Sequence, residues 1–319
     1  MAVSTNWRKA QLTRAEYAML EFGEKLTVLP SGMQEADVAR LRGHGFDDRE
    51  ILSVTLAAAY RHFITRLADA LGAELRRDAG YAPEILRAFG VTEQEAKTTI
   101  YGDRLTARDP GTKSLPPPRV GSRRIAASNI CWIDTAPPTA ARFDQLRAEL
   151  ERLTAPWPRP HLALAFGLRP EALDAALGFG RLLGMGGSGL GRRLEAIIGL
   201  VVAATLWVPY LGTHHAQAFL DAGASPEEVE ALVGKPAEGA LVGREREAAR
   251  FCEKLARLPS AMARSDVEAL RAHGFADRDI LTIAASAAYE SFLCGIAAAL
   301  GIRLEEEAFA PAARNAFEA

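Results

Sequence analysis

The chain has 319 residues, of which 49% are hydrophobic and 24% charged, with a mean hydropathy of −0.02 and a formal charge of −2. That balance excludes disordered and collagen-like polypeptides, and 38 basic against 40 acidic side chains leave no electrostatic footprint for nucleic acid. Cys131, Cys252 and Cys294 stand far apart and form neither a CxxC nor a zinc-ligand spacing, which points to a reducing compartment.

Aromatic residues are sparse, Ala and Leu abound, and strand formers cluster only in short runs, so an all-α fold is expected. The polar stretch Met1–Thr13 lacks the apolar core of a secretory leader. The longest apolar run, Ala196–Pro209, is shorter than the ~20 residues of a membrane span and reads as a buried helix. A cytoplasmic protein with neither a membrane nor a nucleic-acid partner is expected.

In chain order, a first helix is predicted over Arg14–Leu29, ended by a Leu-Pro step. A second spans Gln34–Gly43 and stops at His44-Gly45. A third begins after Phe46 and runs to Leu71-Gly72. Tyr81–Ile100 has room for one or two short helices, and Asp109–Pro118 is a linker by composition. Further helices are predicted near Ala140–Leu153 and Pro170–Leu183, then, after a glycine-rich turn at Met185–Leu190, at Arg192–Leu206 and Pro209–Ala222. The glycine turn follows no strand, so it does not read as a phosphate or dinucleotide loop. The last three helices are Arg244–Leu258, Arg264–Ala272 and a long one from Phe275 to Leu300-Gly301.

These last three repeat the first three. Phe22-Gly-Glu-Lys-Leu26 matches Phe251-Cys-Glu-Lys-Leu255, and Leu41-Arg-Gly-His-Gly-Phe46 matches Leu270-Arg-Ala-His-Gly-Phe275. Asp48-Arg-Glu-Ile-Leu52 matches Asp277-Arg-Asp-Ile-Leu281, with no gap and about half of the aligned positions identical. A separation of more than two hundred residues excludes a solenoid and indicates a duplicated half-domain. The expected organisation is an N-terminal half-repeat over 1–80, a connecting segment with a Pro-rich linker over 81–120, and a complete domain over 121–319.

Chemistry is expected at the hairpin Ser188–His215. An apolar helix ends near Trp207, and Pro209 restarts a helix whose first two turns carry Tyr210, His214 and His215. The N-terminal end of a helix favours anions and disfavours a charged imidazole, so a neutral histidine there can act as a general base. Glu195 stands alone on the apolar helix beside Arg192 and Arg193. Adjacent helical residues point about 100° apart, so only one of His214 and His215 is expected to face a given site.

Gly187-Ser-Gly-Leu190, the hairpin Val201–His215, the Gly223-x-Ser-Pro-Glu-Glu run, Glu253-Lys-Leu255 and the Leu-Arg-Ala-His-Gly-Phe block resemble the alkylhydroperoxidase D-like, or carboxymuconolactone decarboxylase, superfamily, in its peroxidase-related branch. The resemblance implies an all-α, alkylhydroperoxidase D-like fold, here with an additional N-terminal half-repeat, a homodimer or higher homo-oligomer, and a small-molecule substrate. Redox members of that family use a Glu, a Cys-x-x-Cys and a His four residues after the second Cys. Aligned from Ser188-Gly189-Leu190, the cysteine positions fall on Val208 and Leu211, the tyrosine on Tyr210 and the histidine on His215, while the glutamate falls on Ala196. Shifted by one, the set is Trp207, Tyr210, His214 and Glu195. Neither frame supplies a thiol, so dithiol peroxidase chemistry is not expected at the hairpin.

The expected function is therefore a non-thiol, acid–base enzyme of isomerase, decarboxylase, cyclase or lyase type, in a specialised metabolic pathway. His215 would be its catalytic residue with His214 as the alternative, Tyr210 would polarise an oxygen, and Glu195 would orient or relay a proton. Trp207, Arg66 and His62 are candidates for substrate contact, the last two lent by the first half-repeat to a shared cleft. No HxxxH or HExxH spacing occurs, and neither metal nor cofactor is expected. The alternatives are an oxidoreductase or peroxidase-related enzyme with a metal or exogenous reductant, and a non-catalytic binding or scaffold protein. His44 and His273, each just before a glycine, read as helix caps.

Overall fold

The computed structural model describes residues 7–73, 130–133, 135, 141–154, 159–236, 241–305 and 309–318. The sequence-predicted helices of Tyr81–Ile100 and the Asp109–Pro118 linker lie outside these residues. Among the described residues every regular element is helical, so the fold is all-α.

Three helices open the chain: α1 (Arg14–Val28), α2 (Glu35–Gly43) and α3 (Asp48–Leu71). Thr13 and Glu16 form a reciprocal cap at the start of α1, and Asp47 and Glu50 do the same for α3. Leu29-Pro30 stops α1, and Gly45, with a φ of 96°, stops α2. The middle of the chain forms α4 (Ala141–Thr154), α5 (Pro160–Ala165), α6 (Pro170–Leu183), α7 (Arg192–Leu206), α8 (Pro209–Asp221) and α9 (Pro226–Gly234). Then come α10 (Gly243–Arg257), α11 (Arg264–Ala272), α12 (Asp277–Leu300) and a short α13 (Pro311–Asn315). Sequence periodicity places most of these boundaries within two residues. It leaves α5, α9 and α13 unread; α5 and α13 are too short to show a helical period.

The two related triplets of helices use the same devices. Lys25 pairs with Asp37 and Lys254 with Asp266; Arg42 pairs with Asp48 and Arg271 with Asp277. Gly72 and Gly301 cap α3 and α12 in the left-handed conformation, with φ of 62° and 60°. His44 and His273 stand at the C-caps of α2 and α11. The matching long helices α3 and α12 lie along each other in the most extensive helix contact of the molecule. Gly295 permits their approach, since a Cβ there would meet the Ala59 Cβ at 3.3 Å and His62 Nδ1 at 3.5 Å.

Helix α7 is buried along Ala196–Ala204 and packs against α8, α10 and α12. Its burial accords with the core reading of Ala196–Pro209. The longest apolar helix is nevertheless α12, which is long and apolar enough to cross a membrane, with 83% of its apolar window buried inside the fold. Small side chains made it inconspicuous in sequence: Ala dominates, and Ala contributes little hydropathy per residue while packing closely.

Candidate active site

The site is built where α7 turns into α8. Trp207 caps α7 with a φ of 51°, an uncommon conformation for a bulky residue, and Pro209 starts α8 at its first turn. This reversal directs both histidines of α8 into the interior. Gly199 on α7 makes room for one of them: a Cβ there would stand 2.3 Å from Cε1 and Nδ1 of His215. The imidazole thus lies against the α7 backbone.

Each histidine is held by a buried carboxylate. His215 Nε2 lies 2.9 Å from Glu290 Oε2, on α12. His214 Nε2 lies 2.9 Å from Glu305 Oε2, five residues past the end of α12. Glu305 also accepts hydrogen bonds from the Tyr210 hydroxyl at 2.8 Å and from the His161 backbone N–H at 3.1 Å, while the Tyr210 oxygen accepts from the Leu162 N–H at 3.1 Å.

Burial alone would raise both carboxyls. The attraction and hydrogen bond of His215, with the attraction of Arg159, outweigh it at Glu290, and those of His214, with the Tyr210 hydroxyl, outweigh it at Glu305, so both stay below the usual carboxylate range and ionised. Burial pushes His214 down to about 4 against the opposing pull of Glu305, so its ring is neutral near pH 7. Each carboxylate therefore accepts from an Nε2–H. In the neutral His214 ring the remaining nitrogen, Nδ1, carries a lone pair. His214 Nδ1 is buried without a partner, and no other side chain among the described residues bonds His215.

A cavity of about 440 Å³ opens beside this arrangement, touched by both histidines, Glu290, Glu195, Tyr289 and Arg159. The expectation that only one histidine faces the site is thereby corrected. The two rings diverge as helical geometry requires, toward Glu305 and Glu290, and the cavity is broad enough to touch both.

The remaining sequence candidates fall elsewhere or do something else. Glu195 lines the cavity, but its carboxylate is occupied by the Gly186 N–H at 2.7 Å and by the N–H and hydroxyl of Ser188 at 3.1 and 2.5 Å. It clamps the glycine turn, where Met185 and Gly186 both have positive φ, and reaches neither histidine. The Tyr210 hydroxyl is committed to Glu305, and burial beside that carboxylate raises its pKa well above 10. It fixes Glu305 and does not present its proton to the cavity. Trp207 packs against Phe317 with ring centroids 5.4 Å apart and planes tilted by 56°, and it lines a second cavity of about 420 Å³, as does Tyr210.

Arg66 and His62 are buried between α1, α3 and α10 and line none of the cavities described. Arg66 Nη2 donates to the Ala256 carbonyl at 3.1 Å, and His62 Nε2 meets Thr27 Oγ1 at 2.8 Å. Burial lowers both, Arg66 to about 10 and His62 to about 4, the latter helped by Arg66. The N-terminal helices thus contribute packing here and no side chain to the 440 Å³ cavity.

Sequence reasoning missed Glu290, Glu305 and Arg159. Glu290 carried a signal, as the single charged residue between Ile280 and Leu300. Glu305 opens a run of three glutamates and Arg159 sits in a Pro-Arg-Pro step, neither of which stands out. All three cysteines are buried and form no disulfide among the described residues, and burial holds the Cys252 and Cys294 thiols well above their ordinary pKa. Among the described residues no three His, Cys, Asp or Glu side chains gather as a metal-ligand set.

Residues 163–254 match the carboxymuconolactone decarboxylase family. The matched stretch contains Glu195, Tyr210, His214 and His215 and leaves Arg159, Glu290 and Glu305 outside. No curated protein matches the chain significantly. Among solved structures, the chain is similar to an uncharacterised peroxidase-related protein from Silicibacter sp. TM1040, with 23% identity, a TM-score of 0.51, and coverage of 58% of this chain and 96% of that one. It is also similar to an uncharacterised peroxidase-related protein from Ralstonia eutropha JMP134, described as an alkylhydroperoxidase AhpD core, with 22% identity, a TM-score of 0.48, and coverage of 57% and 92%. The Silicibacter likeness shows an all-helical fold shared with that peroxidase-related protein.

Proposed function

We propose that this chain is an enzyme that moves a proton on a small organic molecule, in a reaction of isomerase, decarboxylase, cyclase or lyase type. The observation that carries the reading is the His215–Glu290 pair on the wall of the 440 Å³ cavity. Glu290 accepts the Nε2–H of His215, fixes the ring's tautomer and orientation, and stabilises the imidazolium that forms when Nδ1 takes a proton. The neutral His214 adds no positive charge beside it. Burial excludes bulk water, so these electrostatic effects act at greater strength than they would at the surface.

A thiol route has no support at this place: the hairpin carries Val208 and Leu211 where the resemblance puts cysteines, and the chain's own thiols are buried. The test is solvent-deuterium exchange. The protein is incubated in D2O with a panel of small lactones and oxo acids, and loss of carbon-bound proton signal is followed by NMR. Exchange or turnover should fall 10²–10⁴-fold in His215→Asn, the usual contribution of a positioned general base. Exchange that is equally fast in wild type and His215→Asn would overturn the reading.

A further inference from the structure

Arg159 is a buried cation whose side chain makes no hydrogen bond or ion pair among the described residues. It is 8% exposed, and its Nε is shielded from solvent without a hydrogen bond. Glu290 attracts it through space without bonding it, and a buried guanidinium with its donors unmet is costly and calls for something to complete it. Its backbone is fixed: Arg159 is the N-cap of α5, its carbonyl accepts from the Ala163 N–H at 3.2 Å, and Pro160 restricts its φ and ψ. The side chain lines the same cavity as His214, His215 and Glu290.

The neighbouring carboxylates do not answer it. Glu290 is bonded to His215, Glu195 to the glycine turn, and Asp221 accepts from Gln217 at 2.9 Å. Glu305 is filled by His214, Tyr210 and the His161 N–H. A second arginine, Arg192, stands exposed on the cavity lining. Much of the remaining wall is apolar, with Leu153, Leu183, Met185, Ile198 and Ala218.

From this arrangement we infer that Arg159 is a substrate-binding residue, and that the substrate is a small monocarboxylate with an apolar body. The planar guanidinium matches a carboxylate bidentately. A monoanion neutralises one buried cation, whereas a phosphate dianion would add charge to a wall that already holds Glu195, Asp221 and Glu290. The carboxylate is a handle: bound to Arg159, it holds the substrate in the cavity that His215 also lines. Arg192 attracts the anion on its way in, a contribution that salt screens.

The inference rests on the cavity being the substrate site of the proposed enzyme, and it is tested by binding alone. The full-length protein is titrated calorimetrically with benzoate and hexanoate, with the neutral isosteres benzamide and hexanamide, and with phenyl phosphate. At least one carboxylate should bind at least tenfold tighter than its amide, and benzoate at least tenfold tighter than phenyl phosphate. Arg159→Gln should lose the carboxylate preference at least tenfold, and Arg159→Lys should retain part of it. Because the guanidinium has no hydrogen bond or ion pair to lose among the described residues, unliganded Arg159→Gln should melt no lower than wild type. No carboxylate binding, equal binding of acid and amide, tighter phenyl phosphate, undiminished binding in Arg159→Gln, or a drop of several degrees in its melting temperature would each overturn the inference. Arg159-dependent binding that persists in His215→Asn while exchange is also unaffected would leave the anchor standing and overturn the acid–base reading alone.

Discussion

His215 and Glu290 are 75 residues apart in sequence and meet at 2.9 Å, with both side chains buried and the imidazole seated against Gly199 of a third helix. Three elements, α7, α8 and α12, thus converge on one ring. Removing the charge of Glu290 tests whether that contact governs the chemistry. Glu290→Gln should lower kcat by roughly 10–100-fold with little change in KM, because it removes stabilisation of the imidazolium that forms only during the reaction. Loss of the opposite charge should also move the acidic limb of the pH–rate profile to lower pH. Steady-state kinetics from pH 5 to pH 9 would reveal both.

Gly199 offers a steric test of the same site. Its missing side chain is what lets the imidazole approach, since a Cβ would fall 2.3 Å from the ring. Gly199→Ala should destabilise the protein by about 1–3 kcal/mol through overpacking and reduce activity by displacing His215. Urea denaturation and a single-turnover assay would separate the two effects.

Stability should depend on pH in a defined window. Burial holds His62 and His214 at about 4 in the folded protein, below the ordinary histidine value of 6.5. The unfolded chain then binds more protons than the folded one between these values. The contribution is complete above pH 6.5 and is lost as pH falls toward 4, by up to roughly 3 kcal/mol for each histidine. The lowered carboxyls Glu290 and Glu305 add a further loss as pH falls through their folded values. Urea midpoints measured between pH 4 and pH 8 should therefore fall on acidification, and His62→Phe should flatten part of the slope.

The thiols should be silent. Cys131, Cys252 and Cys294 are buried and form no disulfide among the described residues, and burial disfavours the thiolate of Cys252 and Cys294. Native protein treated with iodoacetamide at pH 7.5 should remain unmodified at these positions by mass spectrometry and keep its activity, whereas urea-unfolded protein should label at all three.

The helices around the site were legible because their signals are local. Pro209 marks the start of α8, the glycines before Arg192 mark the start of α7, and the matched blocks around Phe22 and Phe251 reveal two related helix triplets. The histidines were legible as polar residues on an otherwise apolar hairpin. What surrounds them was not, because it is set by tertiary contact. Glu305 reaches His214 across 91 residues. Tyr210 reads as a free phenol in sequence and is engaged by Glu305 and the Leu162 amide in the fold. Arg66 and His62 read as a polar patch of a helix face, but the packing of α3 against α10 and α12 encloses them. Glu290 alone offered a missed clue, a lone carboxylate on a helix of small apolar side chains.

The most direct measurement is nitrogen NMR of the protein labelled with ¹⁵N-histidine, with His215→Asn used to assign the ring. In its neutral form His215 should carry its proton on Nε2, bonded to Glu290, and its Nδ1 should show the resonance of an unprotonated nitrogen that shifts when a carboxylate enters the cavity. A His215 ring protonated on Nδ1 with a bare Nε2, or an Nε2 signal unchanged by Glu290→Gln, would contradict it.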